Sequence, residues 1–148
     1  MASLRHSISS LVRRPDFVDL DLGDINAAER LLPELGAKAW TPSDCALLEH
    51  TKARIAFARK DLERSKELLQ KEIALGRNLL PNLGLLAQVE CALFDQNLRD
   101  FPAMAGLALK SAEDTLAKII ELDSANRFIE ILQSSIVDRK KKVQKRTP

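Results

Sequence analysis

Residues 41–73 read TPSDCALLEHTKARIAFARKDLERSKELLQKEI. Thr41-Pro42-Ser43-Asp44 is a helix start: a threonine able to cap, a proline at the first helical position and an acid at the third. The helix it opens is expected to run to about Arg59 and to bury Leu47 and Ile55. Asp61 is placed to cap the next helix, in which Leu62, Ser65, Leu69 and Ile73 recur every three or four residues. Gly76 is placed to stop it. Two such helices joined by a short turn pack as an antiparallel hairpin.

The same pattern continues in both directions. Asp24 is placed to cap a short helix holding Ala27, Ala28, Leu31 and Leu32, which Pro33 and Gly36 end. Trp40, just ahead of the Thr41 cap, is expected to lock this first hairpin onto the body. A further helix is predicted over roughly Pro81 to Phe94, and Asp95-Gln96-Asn97 reads as a turn. From Asp100 a long helix carries Phe101, Met104, Ala108, Ala112, Leu116 and Ile119 on one stripe. Asp123 and Ser124 mark its end, and a last helix holds Phe128, Ile131, Leu132, Ser135 and Ile136. Only DFVDLDLGD, residues 16–24, alternates with a period of two; it suits an extended acidic segment in a groove or a linker laid on the helices. The prediction is an all-α fold of five to seven helices, stacked as antiparallel hairpins or gathered in an irregular bundle. Residues 1–23 form a flexible or extended segment, 24–138 a single helical domain and 139–148 a basic tail.

Composition agrees. The 148 residues are 45% hydrophobic but only 4% aromatic, with no Tyr. Leu and Ala carry the apolar content, which favours helices over a β-sandwich or barrel. Two cysteines, Cys45 and Cys91, cannot build a disulfide framework, and a reducing compartment follows as the default. Cytoplasm is the expected setting. Arg5, Arg13, Arg14 and the face of Leu4, Ile8, Leu11 and Val12 make the mitochondrial matrix the alternative, through an N-terminal targeting segment. No apolar run reaches membrane-spanning length.

Two stretches resemble the tetratricopeptide repeat, a helix–turn–helix unit of 34 residues. In residues 53–73, Ala53 stands where the repeat places a small residue, Lys60-Asp61-Leu62 matches its turn, and Ser65 and Leu69 match its second helix. In residues 112–132, Ala112, Leu116, Ile120-Glu121-Leu122-Asp123 and Asn126 resemble the end of one repeat and the start of another. The spacing from Ser65 to Ala112 departs from the repeat's period, and Arg77 and Ser124 stand where its proline is usual. The resemblance implies a superhelical stack with a concave peptide-binding face. In that register Leu47, His50, Thr51, Arg54 and Phe57 line the concave side, where Arg54 and His50 would take an acidic peptide or a chain terminus.

Catalytic chemistry is not indicated. His6 and His50 stand apart, and no HExxH, GxGxxG or P-loop spacing occurs. Cys45 and Cys91 lack the spacing of a zinc site, and no metal or cofactor is expected. Arg139, Lys140, Lys141, Lys142, Lys145 and Arg146 form a basic run able to meet phosphates, without interleaved aromatics for base stacking. The expected role is a non-enzymatic interaction module, an adaptor, chaperone or assembly subunit holding a segment of a partner protein. An RNA- or ribosome-associated protein is the alternative. The leucines of residues 79–93 offer a homodimer interface.

Overall fold

The computed structural model describes residues 22–38 and 41–146. Among them stand six helices and no strand: α1 (Leu22–Lys38), α2 (Pro42–Ala58), α3 (Leu62–Ala74), α4 (Leu79–Asn97), α5 (Pro102–Leu122) and α6 (Ile129–Arg146). The fold is all-α. The chain divides into two compact units at Asn78 and Leu79, where the sequence pattern predicts one domain over residues 24–138. Trp40, the expected N-terminal targeting face and most of the segment 16–24 lie outside the described residues.

In the first unit α2 packs against both α1 and α3. Ile25 and Ala28 of α1 meet Ile55 of α2, with Leu32 and Ala58 around them. Helix α1 departs from expectation at both ends. It begins at Leu22, so Asp24 lies within its first turn, and it runs on past Pro33 to Lys38. Pro33 is exposed, so its ring and its missing N–H cost α1 one ladder bond without cutting the helix. The start of α2 is as read: Thr41 Oγ1 accepts from the Asp44 N–H at 3.1 Å and donates to Asp44 Oδ2 at 2.6 Å.

Both hairpin helices of this unit end in the same way. At the end of α2 the Lys60 N–H reaches the Phe57 carbonyl and the Asp61 N–H reaches that of Ala56. At the end of α3 the Gly76 and Arg77 N–H groups repeat this pattern on Ile73 and Glu72. Both are Schellman caps, which need a left-handed residue. Gly76 supplies it at φ 71°, and Lys60 at φ 64°. Asp61 takes the N-cap position of α3 without a side-chain capping bond. Across the turn, Ser65 Oγ donates to the Ala53 carbonyl at 2.8 Å, where both residues are wholly buried.

In the second unit α4, α5 and α6 pack against one another pairwise. Helix α4 is buried through Leu83, Leu85, Leu86, Val89, Leu93 and Phe94, and the side carrying Gly84, Gln88 and Ala92 is half-buried. Leu83, Leu85, Leu86 and Leu93 are therefore core, whereas Leu79 and Leu80 of the same stretch are half-buried. Asp95-Gln96-Asn97 is not a turn but the last stretch of α4. Asn97 Nδ2 donates to the Leu93 carbonyl at 2.9 Å, which holds the helix to its end. Helix α6 continues through the expected tail to Arg146 because Arg139 and Lys140 find carboxylate partners on the neighbouring helices.

The buried stripe of α5 is Ala105, Ala108, Leu109, Ala112, Thr115, Leu116 and Ile119. Phe101 and Met104, expected on that stripe, are exposed instead. On α6, Leu132 and Ile136 are buried as expected, whereas Ile131 faces solvent.

Candidate functional site

The residues read as a peptide groove do not form one. His50 and Arg54 are each 2% exposed and Thr51 is 3% exposed, while Phe57 and Leu47 are half-buried. The reason is the central place of α2 in its unit, which buries Leu48, Ala53, Ile55 and Ala56 together with His50, Thr51 and Arg54. Thr51 Oγ1 donates to the Leu47 carbonyl at 2.7 Å, within its own helix. Burial lowers the Arg54 guanidinium to about 10, so it remains ionised at neutral pH. Nearby, Arg77 Nη2 donates to Glu72 Oε1 at 2.6 Å, and this bond raises the Arg77 pKa above its ordinary value. His50, Thr51, Arg54 and Glu72 are interior, and Arg77 reaches Glu72 from a partly exposed position. They offer no open carboxylate-binding surface.

The basic run divides into two sets. Arg139 is a hub: Nε donates to Asp95 Oδ1 at 3.1 Å and to the Cys91 carbonyl at 3.2 Å, and Nη2 donates to Asp95 Oδ2 at 2.7 Å. Its Nη1 bonds the Ser135 carbonyl at 3.0 Å and also the Ser135 hydroxyl. Lys140 Nζ pairs with Glu113 Oε2 at 3.2 Å. Both residues therefore fasten α6 to its neighbours. Lys141, Lys142 and Lys145 are exposed, and Lys145 stands four and three residues beyond the other two, which keeps it on the same side of the helix as both. Arg146 is the last residue of α6.

A different surface emerges at the start of α5. Phe101 is 57% exposed, Met104 53% and Leu107 67%, and Pro102, Ala103 and Gly106 between them are exposed as well. From Phe101 to Leu109 no charged residue intervenes. Only Ala105, Ala108 and Leu109 of this stretch turn inward. The remaining side chains form a contiguous apolar patch. Surface leucines scattered singly carry no message, but a run of this kind marks an interaction site. Its sequence signal was present: a helix segment apolar on all sides has more hydrophobic residues than one packed face can bury.

Buried polar groups in the second unit serve packing. Thr115 Oγ1 lies 2.7 Å from Glu90 Oε1 and 2.9 Å from the Ser111 carbonyl, placing its one proton between two acceptors. Cys91 is buried, and that burial pushes its thiol above the ordinary value, against the smaller opposing influence of Arg139. Among the described residues no cluster of three His, Cys, Asp or Glu side chains could hold a metal ion. None of the described helices is long and apolar enough to cross a membrane. Compared with known proteins, the chain matches no family model, no curated protein and no solved structure.

Proposed function

We propose that this chain is a non-enzymatic protein–protein interaction module, an adaptor or assembly subunit whose binding surface is the apolar start of α5. The observation that supports this reading is the joint exposure of Phe101 at the N-cap of α5 and of Met104 and Leu107 in its first turns. An amphipathic helix or a second apolar helix face is the partner that such a surface accepts, through anchors spaced three and four residues apart. The site thus moves from the expected groove on α2 to the second unit. The test compares capture of partner proteins from native cells by the full chain and by Leu107→Asp. Loss of specific partners with an unchanged melting curve supports the reading. Identical partner sets overturn it.

One observation favours a second reading, nucleic-acid association through α6. Lys141, Lys142 and Lys145 are exposed, with Lys145 on the same side as each of the other two. Three phosphate contacts would give a salt dependence of roughly −2 to −3 in log affinity against log salt. Substituting the three lysines with Ala should then abolish RNA binding seen at low salt. Absence of binding at low salt removes this reading.

A further inference from the structure

We propose that the partner of the exposed α5 patch is an acidic protein segment, an amphipathic helix that carries carboxylates beside its apolar anchors. This rests on the reading of that patch as a protein-interaction surface, and it names the chemistry of the occupant. The patch stands at one end of the second unit, and that end is strongly basic.

Two ion pairs fix the levels of the three helices. Lys140 of α6 meets Glu113 of α5, and Arg139 of α6 meets Asp95 of α4. Helices α5 and α6 are joined by the short link between Leu122 and Ile129 and pack together, so they run antiparallel. Beyond Lys140, α6 therefore advances beside α5 from Glu113 back toward the start of α5. At about 1.5 Å per residue on both helices, Lys145 and Leu107 come within one turn of the same level. Asp95 is already in the last turn of α4, so the link carrying Arg99, Asp100 and Phe101 closes this same end.

Past those two ion pairs the described residues include Arg99, Lys110, Lys141, Lys142, Lys145 and Arg146 against a single acid, Asp100. Asp114 and Asp138 lie one turn behind Lys110 and Lys142, and with both included the cations are still twice the acids. The whole chain is near balance, with 23 Lys and Arg to 21 Asp and Glu, so the cationic excess is concentrated at this end. Lys110, Lys141, Lys142 and Lys145 are all exposed. A partner that covers Phe101, Met104 and Leu107 is held by their burial, while the field of the lysines attracts carboxylates and repels a basic segment. The apolar side chains set how long the partner stays, and the charges set which partner is accepted.

Two labelled synthetic helices test this by fluorescence anisotropy on the full chain. Both carry Leu at spacings of three and four, and the other positions are Glu in one and Lys in the other. The Leu/Glu helix should bind, weaken as salt is raised and bind far better than the Leu/Lys helix. Leu107→Asp should abolish its binding. Joint replacement Lys141→Ala, Lys142→Ala and Lys145→Ala should weaken it about tenfold with an unchanged melting curve. Equal binding of the two helices, or a triple variant that binds the Leu/Glu helix as wild type does, overturns the proposal. Displacement of that helix by single-stranded RNA or by phosphatidylserine vesicles at lower concentration assigns this end to a phosphate surface and overturns it too. Capture from native cells separates the two readings. If capture depends on Leu107 but not on the three lysines, the acidic partner is excluded and the interaction face stands; if it depends on neither, both fall.

Discussion

Ser65 Oγ donates a 2.8 Å hydrogen bond to the main-chain carbonyl of Ala53, joining α3 to α2 at a point where neither residue touches solvent. The contact explains why both positions are small. Alanine lets the helices approach, and a serine hydroxyl is short enough to reach a carbonyl across that gap. Ser65→Ala should cost about 1 kcal/mol, the net value of a buried hydrogen bond whose acceptor keeps its place in the helical ladder. Ser65→Leu should cost roughly 2 to 3 kcal/mol by overpacking. Urea denaturation of both variants checks the order; a Leu variant as stable as wild type would contradict this packing.

Lys60 holds the left-handed position of a Schellman cap at φ 64°. A non-glycine residue there is disfavoured by roughly 1 kcal/mol. Lys60→Gly should therefore stabilise the chain by about that amount, reduced by the greater freedom glycine has when unfolded. Thermal melting reports it, and a lowered midpoint would show that Lys60 contributes something beyond the turn.

Arg139 and Lys141 carry the same charge two residues apart but do different work. Arg139 bonds Asp95 through two nitrogens and also reaches the Cys91 and Ser135 carbonyls. Asp95 is 44% exposed, so solvent screens part of the pair. Arg139→Ala should still cost about 1 to 2 kcal/mol, because several carbonyl and carboxylate acceptors lose one donor. Arg139→Lys should not restore it, since an ammonium lacks the planar fork. Lys141→Ala should leave stability unchanged. Equal effects of the two Ala substitutions would contradict this division.

Cys91 is buried and Cys45 half-buried. Burial raises the Cys91 thiol, so it binds its proton to higher pH when folded than when unfolded. The native state's advantage from this group is complete below the ordinary thiol range and is lost as pH rises through the raised folded value. Iodoacetamide at neutral pH should label Cys45 first and Cys91 only on unfolding. Equal native rates would show that α4 opens readily.

Much of the fold was legible because local chemistry and packing agree. The Thr41 cap, the turn at Lys60-Asp61 and the end of α5 at Leu122 all fall where side-chain chemistry puts them. The failures share a cause, which is that periodicity shows an apolar face but not how many neighbours a helix has. The repeat register turns His50, Thr51 and Arg54 toward solvent, yet α2 has helices on two sides and buries them. Phe101 and Met104 fit a helical stripe, but the stripe that packs is the alanine-rich one through Ala105, Ala108 and Ala112. The basic run looked like a tail because nothing local reveals that Asp95 and Glu113 wait on other helices.

Met104 provides the most direct test of the interaction face, since the only other methionine is Met1. Its thioether is half exposed in the isolated chain and open to oxidation by dilute peroxide. The rate of Met104 sulfoxide formation, read by mass spectrometry, should be compared between dilute purified chain and the assembly isolated from native cells. Slowing of Met104 oxidation severalfold in the assembly is the predicted result. Equal rates, or a chain found only in isolation, would contradict the claim that this face binds a partner.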